Sequence, residues 1–369
     1  AEEPVILGGL GVGQGQPFAQ RGHFAAFRHL LARSFPTLCR ILHRAGATVK
    51  GIVGSRCGIT VGAMASDASQ APRISDFAVA PAHIAPGVAL MVGYRVREVP
   101  HGVHRGMPSS TLTFIVSLDE GVRAAESLEA LPAARPAPLL LSGLHSRAAG
   151  VQQTSGQAGI QLAVHPLASR ALFGVPAAEL SVTDFDAAPM LGRRAVRLHE
   201  QLAATQSWPD AFALVSAYLV AEERRRDSTV RPEVSHAWQL LQRSRGRTPV
   251  AEIAEQVGLS QRHLSTLFRR EVGRTPKMVA MLMRFEYATN RIAAAARRPQ
   301  RIDLAGIAAD AGYADQAHLT REFVRYAGVS PAAWLAEEFQ NIQDGGHAPR
   351  SQWSHDASES VRLVDPASA

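Results

Sequence analysis

The sequence predicts an α+β fold: a β-rich, barrel-like region followed by an all-α region that builds one small helical object twice. Three observations predict it. Short apolar runs set between Pro, Gly and Ser clusters fill residues 75–161. Past Pro166 the apolar residues recur every three and four positions instead of every two. Finally, "GLSQRHLSTLFRREVGRTP" (258–276) returns in outline as "GYADQAHLTREFVRYAGVSP" (312–331). Each stretch has a Gly, a short polar turn, Leu and Phe four apart, a second Gly, and a Pro three further on.

Composition sets the frame. The chain has 369 residues, 46% hydrophobic and 19% charged, which suits two or three soluble domains with cores of their own. Its longest apolar runs, such as "GVALMVGY", fall short of the roughly 18 residues that span a bilayer. No membrane partner and no secretory leader are expected. Two cysteines, Cys39 and Cys57, make neither a disulfide framework nor a zinc site, so a reducing cytoplasm is the expected home. The net charge of +7 is unevenly spread. Residues 234–340 hold 15 Arg or Lys against 10 Asp or Glu, whereas residues 71–233 balance at 15 against 15. A basic region beside a neutral one points to a polyanion partner.

Taken in order, residues 1–70 are Gly-, Ala- and Arg-rich and read as a poorly ordered basic extension. Within them "VILGGLGVGQG" has no register that fits G-x-G-x-x-G, and no phosphate-loop G-K-[ST] occurs in the chain. Residues 71–230 read as the β-rich domain with trailing helices. Its strands are expected in "ALMVGYRVREV", "STLTFIVSL", "PLLLSGL" and "GIQLAV", and its helices in "PLASRALFG", "MLGRRAVRLHEQLAA" and "WPDAFALVSAYLVAEERRR". The charged "ERRRDSTVRPE" reads as a linker. Residues 234–340 are expected to be helical with a self-contained core, and residues 341–369 to be a disordered tail.

The repeat sits in the helical region. In the first copy "VAEIAEQV" is a short helix and Gly258 suits the left-handed backbone of a tight turn. Ser260 is the expected N-cap of the next helix, because its hydroxyl accepts from exposed backbone N–H groups. Leu264, Leu267 and Phe268 then face inward, leaving Arg262, Ser265, Thr266 and Arg269 outward. Short helix, Gly-containing turn and second helix with a polar outer face make a helix-turn-helix. The second copy repeats this with Gly312, the N-cap Asp315 and inward Leu319 and Phe323. Ala317, Thr320 and Arg321 face outward, with Gln316 in the first turn; one extra residue lies in this copy's turn. Between the copies, Pro276–Ala296 reads as one helix spanning about 30 Å at 1.5 Å per residue. One turn of B-DNA rises about 34 Å, so the spacing suits a monomer reading two successive major grooves of double-stranded DNA.

Residues 234–340 resemble the C-terminal DNA-binding domain of AraC/XylS-type transcriptional regulators, and "GYADQAHLTREFVRYAGVSPAAWL" is very close to that family's second-motif signature. The resemblance implies that the second helix of each motif enters a major groove. It puts base-reading positions on Arg262, Ser265 and Thr266, and on Gln316, Ala317, Thr320 and Arg321. Ala317 departs from the usual polar residue and offers only apolar contact, for example to a thymine methyl. The expected protein is a cytoplasmic, bacterial-type transcription regulator and not an enzyme, needing no cofactor or metal. The β-rich domain is expected to sense a small-molecule effector or to mediate homodimer formation, and RNA polymerase is an expected partner.

Catalytic signatures are sparse. G-x-S-x-G, H-E-x-x-H and C-x-x-C do not occur. His101, His104, His145 and His165 raise the alternative of a metal-dependent barrel enzyme fused to a DNA anchor. "PHGVHRG" reads as a Pro/Gly-rich loop, however, and His165 stands where a strand gives way to a helix, so loop and capping roles are expected for them. A ligand-independent architectural DNA-binding factor is the other alternative.

Overall fold

The computed structural model describes residues 75–344 apart from 83, 98–101, 227–228 and 299–300. The readings made on residues 1–70, on His101 and on most of the C-terminal tail lie outside the described residues. All described residues belong to one compact unit, Val61–Ala369.

Nine strands lie within the described residues: β1 (Ser75–Val79), β2 (Val88–Val96), β3 (Gly102–Gly106), β4 (Leu112–Ser117), β5 (Val122–Ala125), β6 (Pro136–Ala137), β7 (Leu139–Ser142), β8 (Ala149–Gln153) and β9 (Ala158–Val164). They form two antiparallel sheets, ordered β1-β2-β9-β4-β7 and β3-β8-β5-β6. The expected barrel is therefore corrected to two sheets that do not close into one. Strands β6 and β7 are separated by Pro138 alone yet belong to different sheets. Proline has no N–H to give a ladder, which suits the break at that point.

The larger sheet is covered on both faces, and its period-two alternation sorts the residues. Met91, Phe114, Val116, Leu139, Leu141, Ile160 and Leu162 point into the main core under the helices. Leu90, Val92, Ile115, Leu140, Gln161 and Ala163 point the other way, toward the second sheet. The sequence found the apolar strands β2, β4, β7 and β9. The "PHGVHRG" loop is corrected: Gly102–Gly106 is strand β3, held by antiparallel pairing with β8.

Among the described residues, ten α-helices follow or interrupt: α1 (Ser169–Phe173), α2 (Ala188–Ala203, broken at Gly192), α3 (Trp208–Arg225), α4 (Pro232–Arg243), α5 (Val250–Gln256), α6 (Gln261–Val272), α7 (Pro276–Ala296), α8 (Leu304–Asp310), α9 (Gln316–Ala327) and α10 (Pro331–Asp344). The charged stretch read as a linker, residues 223–233, begins inside the last turn of α3, beside a buried acid. Glu222, nearly fully buried, receives Arg194, Arg225 and Arg226 at 2.6, 3.2 and 2.7 Å. Arg226 also donates to the carbonyl of Leu172. A buried carboxylate needs such partners to offset its lost hydration.

The buried core of the helical region runs on into that of the β-rich half. One buried cluster runs from Phe114 and Leu162 through Leu172 to Trp238, Phe268 and Phe323. Trp238 on α4 meets the His165 ring at 5.0 Å and the Phe268 ring at 6.3 Å. The core expected to be self-contained is thus continuous with that of the β-rich half, and Trp238 lies at the junction.

Candidate nucleic-acid interface and the cavity beside it

Both motifs are built as their caps dictate. Ser260 Oγ accepts from the His263 N–H at 3.2 Å, and Asp315 Oδ1 accepts from the His318 N–H at 2.6 Å. Gly258 and Gly312 take the left-handed backbone, φ +69° and +78°, that turns one helix into the next. The turn between α5 and α6 is Val257–Ser260; that between α8 and α9 is Ala311–Asp315, one residue longer. Gly273 and Gly328 close α6 and α9 with left-handed C-caps. Leu264, Phe268, Leu319 and Phe323 are fully buried.

The opposite faces are open. Arg262, Thr266 and Arg269 on α6, and Gln316, Ala317 and Arg321 on α9, are exposed; Ser265 and Thr320 are half-buried. The two threonines behave alike: Thr266 Oγ1 donates to the Arg262 carbonyl and Thr320 Oγ1 to the Gln316 carbonyl, at 3.0 and 2.9 Å. Glu322, the acid next to Arg321, pairs with Arg325 at 3.3 Å. Helix α7 has the expected bounds and 21 residues. Its Leu282, Phe285 and Ile292 are buried, as are Val279, Met283 and Thr289.

The second helix of each motif is fastened to the β-rich half at its last turn. On α6, Glu271 receives Arg170 at 2.8 Å, and Gly273 lies so close to Ala178 that a Cβ would come within 3.0 Å of its Cα. On α9, the Tyr326 carbonyl accepts from the Ala148 N–H at 2.7 Å, and Arg105 donates to the Ala327 carbonyl at 3.3 Å. A cation there also suits the negative end of the helix. Helix α10 adds Glu337, paired with Arg105 at 2.6 Å, and the buried Glu338, paired with His104 at 2.8 Å. On α7, Glu286 Oε2 accepts from the Ser110 N–H and hydroxyl at 3.0 and 2.6 Å. Four acids of the helical half thus face the β half, and the exposed outer faces of α6 and α9 carry arginine.

The histidines follow their surroundings. Burial alone would push His104 down, but the charge of Glu338 and the hydrogen bond to it outweigh burial and raise its pKa. His145 lies between the carbonyls of Gly106 and Gly143, and its pKa is lowered chiefly by burial. His165 accepts from the Leu167 N–H and caps the short 3-10 turn Pro166–Ala168; burial pushes it down to about 4. Among the described residues, no three His, Cys, Asp or Glu side chains come together in a group that could hold a metal ion.

A cavity of about 260 Å³ lies between the two sheets. Its walls are largely apolar and aromatic, with Phe77, Tyr94, Ile115 and Phe185 among them; His104, Arg105 and His145 line it too. The second helical motif's neighbour closes one side, for Glu286, Thr289 and Asn290 of α7 belong to the wall. Gln161 shows why the cavity is open: it is exposed although it lies in the middle of β9, a central strand. Sequence reasoning missed this site. Its one local signal is the glutamine run of "VQQTSGQAGIQ", which places Gln152, Gln153, Gln157 and Gln161 around one space.

A family described as a helix-turn-helix domain matches residues 253–337. No curated protein matches the sequence. Among solved structures, apo ToxT from Vibrio cholerae aligns with a TM-score of 0.42 at 12% identity, over 67% of this chain and 97% of that one. ToxT bound to (E)-4-(8-methylnaphthalen-1-yl)but-3-enoic acid aligns at 0.40 and 12%, over 73% and 99%. ToxT bound to an unsaturated fatty acid aligns at 0.40 and 11%, over 67% and 95%.

Proposed function

We infer that this chain, whose residues 253–337 form an AraC-type helix-turn-helix domain, is a sequence-specific DNA-binding transcriptional regulator that responds to a small molecule held between its two sheets. The observation that carries the DNA reading is the tandem motif, with two capped helices whose outer faces are exposed and whose inner faces share the core. On this reading Arg262, Ser265, Thr266 and Arg269 serve one major groove, and Gln316, Ala317, Thr320 and Arg321 the next. Helix α7, about 30 Å long at 1.5 Å per residue, suits successive grooves about 34 Å apart.

The effector reading rests on the cavity. It is mostly apolar, has a few converging polar groups and is closed partly by α7, the helix that joins the two motifs. A molecule that fits only one placement of α7 would shift the chain toward that placement. The protein acts as a regulator and not as an enzyme, works in the cytoplasm, and meets RNA polymerase at the promoters it binds. A homodimer through the β-rich half is part of the same proposal. No described helix is long and apolar enough to cross a membrane.

Selection of bound fragments from the source genome tests the proposal. It predicts a small set of related sites whose affinity falls steeply with salt, because phosphate contacts release counterions. Recovery of fragments without a shared sequence would favour an architectural role and overturn the regulator reading.

A further inference from the structure

One residue in the floor of the cavity narrows the class of molecule that fits it, given the reading of the cavity as the effector site. Gln161 is exposed although β9 runs between β2 and β4 in the larger sheet. Its cross-strand neighbours are Val92 and Ile115, and Gly159 and Ala163 flank it along the same face of β9. None of these has a polar side-chain atom, so the Gln161 amide rises from an apolar floor. Its side chain makes no hydrogen bond among the described residues. A β-branched apolar residue would suit a central strand better, so the fold alone does not account for an amide there.

The formal charges in the wall, by contrast, are already engaged. Arg105 gives Nε and Nη2 to Glu337 and Nη1 to the Ala327 carbonyl. His104 is bound to Glu338 at 2.8 Å. Glu286 Oε2 accepts from the Ser110 N–H and hydroxyl, and its Oε1 is buried. His145 lies between two carbonyl oxygens, and burial favours its neutral form. An ion entering this space, of either sign, gives up hydration without an open counter-charge to offset the loss. An uncharged polar group loses less and meets an amide that both donates and accepts. A hydrogen bond made over an apolar floor is also stronger than one made in water. The volume, about 260 Å³, is below the roughly 300–1,000 Å³ of sites for drug-sized ligands, so the molecule is small.

We propose that the cavity takes a small, largely apolar and uncharged molecule bearing a carboxamide, hydroxyl or carbonyl group, and that the Gln161 amide receives that group.

Calorimetric titration of the full chain near neutral pH with a matched set tests this: 4-phenylbutanamide, 4-phenylbutanoate and 4-phenylbutylamine, the last two being ionised there. The amide is expected to bind tightest, and each ion at least tenfold more weakly. Gln161→Met, which keeps the unbranched shape and removes the amide, should weaken 4-phenylbutanamide about tenfold. If that variant loses its circular dichroism spectrum, the ranking on the unaltered chain decides alone. Either ion binding as tightly as the amide, or an unchanged amide affinity in folded Gln161→Met, overturns the proposal. Ala163→Leu, which fills the cavity from β9, separates the two levels of the account. Binding without preference that Ala163→Leu abolishes defeats the ligand class and leaves the effector site standing. No binding of any probe defeats the effector site, and the ligand class falls with it.

Discussion

The two helix-turn-helix motifs share caps, glycines and inward Leu and Phe, but they are joined to the β-rich half in different ways. The first is joined through aromatic packing: His165, Trp238 and Phe268 form one line of rings from the end of β9 into α6. In the second, Phe323 packs against Phe285 at 5.2 Å and Trp334 at 5.6 Å. Its links to the β half include three polar ones: Arg105 with Glu337, His104 with Glu338, and the Tyr326 carbonyl with Ala148. Buried apolar contacts fix a neighbour in place, whereas ion pairs respond to charge and to what lies beside them. His104 and Arg105 both line the cavity, so on the proposed reading the second motif is the one its ligand would meet.

The largest effects concern the cores. Phe268→Ala and Phe323→Ala should each cost roughly 3–5 kcal/mol, because both rings are fully buried. Denaturant unfolding checks this, and an unchanged midpoint for either would reverse the assignment of inner and outer faces in that motif. Phe268→Ala should also disturb the near-ultraviolet signal of Trp238, since the rings are neighbours, while Phe323→Ala should leave it unchanged.

Acidification should then pull the two joints in opposite directions. His165 is held near a pKa of about 4, below its ordinary 6.5, so the unfolded chain binds the proton more readily. Its contribution is complete above about pH 6.5 and is lost as pH falls toward 4, on the order of 3 kcal/mol in all. His104 is raised, so its tie to Glu338 contributes fully below about pH 6.5 and fades as pH rises through the raised value. Comparing unfolding free energies of the unaltered chain, His165→Asn and Glu338→Gln across pH 4–9 checks both signs. His165→Asn should flatten the acid side, and Glu338→Gln should flatten the neutral-to-alkaline side. The same slope in all three proteins would show that neither histidine carries its joint.

Smaller differences lie on the DNA side. Arg321→Ala should relax preference at one or two adjacent base pairs, by about 1–3 kcal/mol of discrimination. Arg270, exposed but off the outward stripe of α6, should instead hold a phosphate. Arg270→Ala is expected to weaken all sequences about equally and to lower the salt slope by about one. Affinities at two salt concentrations separate these outcomes. The caps come last: Ser260→Ala and Asp315→Ala should each cost about 1 kcal/mol in thermal or denaturant unfolding.

The parts legible in the sequence are those that local chemistry decides. Gly258, Ser260, Gly312, Asp315 and Pro276 mark turns and helix starts by their own backbone preferences, and the spacing of Leu264, Leu267 and Phe268 fixes a face. The β-rich half yielded only strands long and apolar enough to announce themselves. Strands β3, β5, β6 and β8, reading GVHRG, VRAA, PA and AGVQQ, hold no such pattern and depend on pairing with distant partners. The cavity was hidden for the same reason: Glu286 on α7 and Gln161 on β9 meet one space only after the two halves have joined.

The central claim is that one chain reads DNA with two motifs at once. Its most direct test is the affinity of the full chain for a selected site in which every base pair is varied singly, repeated with Arg321→Ala and Arg262→Ala. The account predicts two clusters of sensitive positions about one helical turn apart, with Arg321→Ala flattening one cluster and Arg262→Ala the other. A single cluster, or a uniform loss across all variants for both substitutions, would contradict it.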